Sequence, residues 1–244
     1  MQNPVATHPV GKTPLRRLWL WLFVLLASFA IWGSFKLDGP VREAVVRTQV
    51  KGWQELPEFR FKAGVRKFGD WPWLMVVGAV GIAISWKLKK REWIRILAAA
   101  MLASTIAGLV ANSSRVTTGR TRPRESPKIE QGFYGPWREG RLTIGDPPFN
   151  SFPSGHAATA FGFAAVILYA RPWFGIAAIA LAALIGWSSI MMGAHHPSDV
   201  IVSICLSLFV AWFTWKWIEE NGEAFAYRIR MKLRTNRKQG PRSR

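Results

Sequence analysis

Histidine is scarce in this chain, and the placing of the few that occur frames the chemistry. There are four: His8, His156, His195 and His196. His8 belongs to a polar tail and reads as idle; His196 reads as a bystander. His195 stands four residues before Asp199. On a helix the two would share a face, and a carboxylate that accepts one ring N–H leaves the other nitrogen free to attack. Pro197 between them favours a turn or a first helical position, so their contact is an expectation, not a consequence of spacing. His156 closes the run Pro153-Ser154-Gly155-His156, ahead of small and apolar residues. Ser154 can cap a helix that starts there, and Gly155 leaves backbone N–H groups open to an anion. Four arginines, Arg115, Arg120, Arg122 and Arg124, crowd one stretch. Arg115 and Arg122 are two helical turns apart, so a continuous helix would present both on one side until Pro123 ended it. Guanidinium forks grip phosphate oxygens in bidentate fashion. Two histidines, an acid and several arginines around an anion pocket point to phosphoryl transfer through a phosphohistidine. Without clusters of Asp and Glu there is little to hold a metal, and no cofactor is expected; the arginines must neutralise the developing charge.

The elements that would position these groups are apolar runs. Residues 18–35, 96–114 and 173–194 carry no charge over 18, 19 and 22 positions. Each meets the floor of about 17 residues for a membrane-spanning helix. Residues 71–86 and 200–215 are 16 long, and reach that floor if flanking Trp and Lys sit at the interface. Residues 157–170 give only 14, and need Ser154 and His156 counted in. The expected fold class is therefore an all-α integral membrane bundle of six transmembrane helices, with five as the fallback. The first run has a basic start, but it exceeds the usual apolar length of a cleaved signal and is expected to remain as a span. Residues 36–70, between the first two spans, read either as one or two amphipathic helices on the membrane surface that gate lateral access, or as a structured connecting loop. The expected division is a tail over 1–17, a membrane domain over 18–227 and a basic tail over 228–244.

Charge supplies an orientation. Lys87, Lys89, Lys90, Arg91 and Arg95 crowd a short link, and residues 228–244 hold eight basic residues and no acid. Such density marks the cytoplasmic face. Both termini would then be cytoplasmic, and His156, His195, Asp199 and the arginine cluster would face the extracytoplasmic side of a plasma (inner) membrane. The basic tail either lies on anionic lipid headgroups or is simply solvated.

Composition removes other classes. Of 244 residues half are hydrophobic, with 14 Trp and 15 Phe, so the chain is not a disordered tail protein. A lone Cys205 excludes a disulfide scaffold. The formal charge of +19 raises nucleic-acid binding, but the basic residues bracket apolar runs and form no base-reading module. No nucleic-acid partner is expected. A serine hydrolase built on Ser154 lacks the Gly-x-Ser-x-Gly elbow.

Taken in order, three segments resemble the signature of the type 2 phosphatidic acid phosphatase (PAP2) superfamily. Its first motif, Lys, six residues, Arg-Pro, is matched here by Arg115 and Arg122-Pro123. Its second, Pro-Ser-Gly-His, stands unchanged at 153–156. Its third, Ser-Arg, five residues, His, three residues, Asp, is matched by Ser188-Ser189, His195 and Asp199. The resemblance implies a PAP2-like membrane lipid phosphatase, with His195 as nucleophile, Asp199 orienting it and His156 as acid for the leaving group. It implies that Arg115, Arg122, Ser154 and Gly155 bind phosphate oxygens of a phosphorylated membrane lipid. Polyprenyl pyrophosphate, phosphatidic acid, phosphatidylglycerol phosphate and a lipid A-type phosphate stay open as substrates. So do transfer to a second lipid and a non-catalytic lipid-phosphate-binding or transport role. Two departures bear on activity. Arg115 replaces a lysine, and Ser189 replaces an arginine, removing one phosphate-binding cation. Either Arg120 or Arg124 compensates, or activity is altered or lost.

Overall fold

Helix α5 (Gly155–Ala170) is lined almost wholly by small and apolar residues, and it is buried along most of its length. A helix apolar all round belongs inside a bundle. Around it pack α4 (Arg91–Thr118), α6 (Pro172–Met191) and α7 (Pro197–Lys238), while α3 (Trp71–Lys87) lies against α4. Helix α1 (Thr13–Arg47) packs on α7, and α2 (Pro57–Lys67) on α6. This computed structural model describes residues 13–49, 53–126 and 128–238. His8 lies outside the described residues.

The α4–α5 contact follows from residue size. Ala99, Ala103, Ala107 and Ala111 recur at helical spacing on α4 and are all buried. Ala107 and Ala111 meet Ala158 of α5. Small side chains let helix backbones approach closely, which is how helices associate where lipid removes the usual hydrophobic drive. Large apolar residues such as Trp21, Trp86, Trp173 and Trp217 instead face outward.

Among the described residues four helices are long and apolar enough to cross a membrane: α1 over Leu20–Arg47, α4, α6, and α7 over Pro197–Gly222. Helices α2 and α3, bent by 55° at their junction, add a fifth when the pair is counted as one broken span. At 16 residues α5 falls below that length. The bundle is thus a multi-pass membrane fold with four or five clear spans, where the sequence suggests six. The physical reason is burial: a helix enclosed by protein need not match the hydrocarbon thickness.

The segment at 36–70 divides. Its first part prolongs α1 to Arg47 despite Pro40, and its second forms α2, docked on α6. Helix α7 runs unbroken through the expected boundary at 228 to Lys238, and the rest of the basic tail lies outside the described residues. Among the described residues the one ladder is a two-residue hairpin, β1 (Trp137–Arg138) with β2 (Arg141–Leu142), in the α4–α5 connection.

Candidate active site

Three helix ends and two loops meet at one end of the bundle. Helix α4 stops because Gly119 takes a left-handed conformation (φ 53°) and caps it through an N–H to the Arg115 carbonyl. Glycine does this without steric cost. A Cβ there would also lie 1.9 Å from the Gly135 carbonyl oxygen. Arg115 and Arg122 therefore do not share a continuous helix, as their spacing suggests. Arg115 ends α4, and Arg122 sits in an extended segment before Pro123.

Arg115 donates from Nε to the Pro153 carbonyl at 2.9 Å. Its guanidinium lies over the start of α5, where a Cβ on Gly155 would stand 2.6 Å from Nη2. Gly155 is thus what admits Arg115 to the helix N-terminus. Ser154 caps α5 by accepting from the Ala157 N–H, and its own N–H donates to the Asp199 carbonyl at 3.1 Å. Arg122 makes one contact, from Nη2 to the Asn150 carbonyl at 3.3 Å, and its buried Nε has no partner among the described residues. Burial, together with the charges of Arg124, Arg66 and Arg115, pulls its guanidinium down to a pKa of about 10. Like charges gathered in excess of the nearby carboxylates mark a place where an anion would be welcome.

His195 is fully enclosed in the turn between α6 and α7. Its Nδ1 donates to the Ser151 carbonyl at 2.7 Å, and the nearer Asp199 oxygen is 3.6 Å away. Its Nε2 is buried with no partner among the described residues. Burial lowers the ring to about 4, with Asp199 opposing the shift. The imidazole is therefore neutral at pH 7, with Nδ1–H held and the Nε2 lone pair free.

Asp199 accepts from the Ser151 hydroxyl, from the His196 N–H at 2.7 Å and from the Arg120 guanidinium. Arg120 in turn donates to Ser198 and, at 2.6 Å, to Asp38 of α1. The rings of Phe35, Phe133 and Phe152 surround its guanidinium, with centroids 5.3, 4.7 and 5.7 Å away. Arg120 is thus spent on two buried carboxylates beneath the site. Arg124 pairs with Glu125 at 3.3 Å.

His156, at the first turn of α5, donates from Nε2 to Asp70 at 2.6 Å. Its Nδ1 faces Arg66 of α2 at 3.5 Å. His195, Arg66, Arg115 and Arg122 all lie within charge-interaction range of it. Ser151, Asp38, Asp70 and Arg66 are functional neighbours that spacing does not reveal; each reaches the site across tens of residues. Their one sequence signal is that Asp38, Arg66 and Asp70 are ionisable residues flanking apolar runs. Among the described residues no three His, Cys, Asp or Glu side chains gather as metal ligands.

Comparison with known proteins places the chain, as a whole, among relatives. The sequence profile of the PAP2 superfamily matches residues 93–223. A lipid A 1-phosphatase of Rhizobium johnstonii is 31% identical over 219 residues, covering 84% of this chain and 81% of that protein. A decaprenylphosphoryl-5-phosphoribose phosphatase of Mycobacterium tuberculosis is 30% identical over 151 residues, covering 60% and 73%. The crystal structure of a transmembrane PAP2-type phosphatidylglycerolphosphate phosphatase from Bacillus subtilis aligns with a TM-score of 0.51 at 19% identity, covering 83% of this chain and 96% of that one. That last likeness is one of fold.

Proposed function

The chain belongs to the PAP2 superfamily and is a lipid phosphate phosphatase of that type, and on that premise we propose that it hydrolyses its substrate through His195. The observation that carries this reading is the unpartnered Nε2 of His195, near Arg115 and Arg122, neither of which makes an ion pair among the described residues. In the first step Nε2 attacks phosphorus and the bond to the leaving oxygen breaks. His156, its Nε2–H held by Asp70, takes the proton of the substrate's phosphate monoanion at Nδ1 and passes it to that oxygen. In the second step water attacks the phosphohistidine, His156 Nδ1 takes the water's proton and hands it to the departing phosphate, and the bond to His195 breaks, restoring both rings. Arg115, Arg122, the Ser154 hydroxyl and the Gly155 N–H hold the non-bridging oxygens throughout, without a metal ion.

The proposed substrate is a phosphate monoester on a lipid A-type headgroup, supported by similarity to a lipid A 1-phosphatase along four-fifths of both proteins. Counting the enclosed α5 and the bent α2–α3 pair gives six crossings, with both ends cytoplasmic and the site extracytoplasmic in an inner membrane. The Lys87–Arg95 link at the opposite end of the bundle supports that orientation. The test is a panel of lipid A, undecaprenyl diphosphate, phosphatidic acid and phosphatidylglycerol phosphate in detergent micelles with EDTA. The expected result is free phosphate, highest kcat/KM on lipid A and loss of its 1-phosphate. Preference for the diphosphate would overturn the headgroup; label passing to an acceptor lipid would make the enzyme a transferase.

The pH profile is a second check. A protonated imidazole cannot attack, so activity should fall as pH drops through the His195 value of about 4. Once the phosphate's own ionisation at pH ~6 is divided out, the acid limb of kcat/KM should lie close to 4, not at the ordinary histidine value. A remaining limb at ~6.5 would contradict the enclosed, neutral ring.

A further inference from the structure

Ser189 stands where the third motif of the family carries a phosphate-binding arginine, and the two expected substitutes are otherwise engaged. Arg120 is held by Asp38 and Asp199. Arg124 pairs with Glu125 and is 27% exposed at the rim. A third guanidinium reaches the same place from a different element. The Ser188 hydroxyl donates to the Lys62 carbonyl at 2.6 Å, which seats α2 on α6 beside Ser189. Arg66 is one turn further along α2, on the face that Lys62 occupies. At the end of that helix a Cβ on Gly69 would lie 2.6 Å from Ile185 Cγ2 and 3.2 Å from the His156 carbonyl oxygen. Nothing larger than glycine there would let α2 close so tightly on α5 and α6.

The Arg66 side chain is left with little to bind. Its Nη2 makes a long contact of 3.5 Å to His156 Nδ1, and its buried Nε has no partner among the described residues. It lies close enough to Arg122 to oppose that residue's charge.

Resting on the phosphatase reading above, we propose that Arg66 supplies the phosphate-binding cation that Ser189 lacks, so that the amphipathic helix α2 completes the site. When phosphate occupies the cup, a guanidinium fork at Arg66 donates to a non-bridging oxygen and leaves His156 Nδ1 to the leaving group. A positively charged side chain is thereby moved from one element to another while the pocket keeps its charge.

The test compares wild type, Arg66→Ala and Arg66→Ala/Ser189→Arg, all full length in detergent. Arg66→Ala should lower kcat/KM about 10²-fold, the usual scale for a lost charge-assisted contact. It should weaken inhibition by orthovanadate, a phosphate mimic, and guanidinium ion at tens of millimolar should restore about tenfold of the loss. Ser189→Arg should also recover activity in the Arg66→Ala background. Full activity in Arg66→Ala overturns the proposal, as does a folded variant whose loss leaves vanadate affinity unchanged and does not respond to guanidinium. If Arg66→Ala does not fold, Arg66→Lys carries the test: weakened vanadate inhibition supports the assignment, and wild-type inhibition overturns it. Orthovanadate stabilisation against heat reads Arg66 even if no lipid in the panel turns over, so failure of the phosphatase reading and failure of this one are separable.

Discussion

Phosphate release that persists in EDTA is expected to vanish when His195 is replaced by alanine, a loss of about 10⁴-fold or more. No second nucleophile is in place among the described residues. His156 has one ring nitrogen on Asp70 and the other against Arg66. His196 points a ring nitrogen at the Thr121 carbonyl at 3.2 Å, below the pocket. The variant should stay folded, because the free nitrogen of His195 supports nothing and the ring's one firm hydrogen bond is to a backbone carbonyl. Measurement of inorganic phosphate by wild type and His195→Ala, with matching elution from a sizing column, decides the matter. Turnover within a hundredfold of wild type in the alanine variant would remove His195 from the chemistry.

Two arginines two residues apart should fail in opposite ways. Arg120→Ala strips the shared partner from Asp38 and Asp199, both buried. Breaking a buried pair by removing one partner costs about 3–5 kcal/mol, since the remaining charge is left without compensation. Two carboxylates are stranded here, so a marked drop in the midpoint of thermal unfolding is expected, with activity lost alongside. Arg122→Ala removes a guanidinium whose one hydrogen bond among the described residues is 3.3 Å long. Its midpoint should hold or rise slightly as the repulsion from Arg124, Arg66 and Arg115 is relieved. Its kcat/KM should nevertheless fall about 10²-fold, as one charge-assisted grip on phosphate disappears. Thermal unfolding in detergent beside steady-state kinetics separates the two. Equal stability losses would mean that Arg120 is not the keystone described.

What is legible in the sequence is local in kind. Apolar run lengths mark the spans, and spacing within 153–156 and 188–199 anticipates a capped helix and a histidine near an acid. The small residues Ala157, Ala158 and Ala160 signal that α5 is enclosed, and hence that it can be short. Gly119, passed over when Pro123 is taken as the helix end, is what stops α4 and parts Arg115 from Arg122. The supporting contacts are of another kind. Asp38 meets Ser198 across 160 positions and Arg66 meets His156 across 90. Such pairings depend on how helices cross, which no periodicity encodes. Likewise Ser151 orients His195 through its main-chain carbonyl, a role any residue type could fill, so its identity does not announce it.

Helix α1 is an outrigger: only 6% of its apolar window is buried within the protein. Yet its Asp38 grips Arg120, and through it the carboxylate under His195. The nucleophile proposed above is thereby tied, through two ion pairs, to a helix whose apolar length stands outside the bundle.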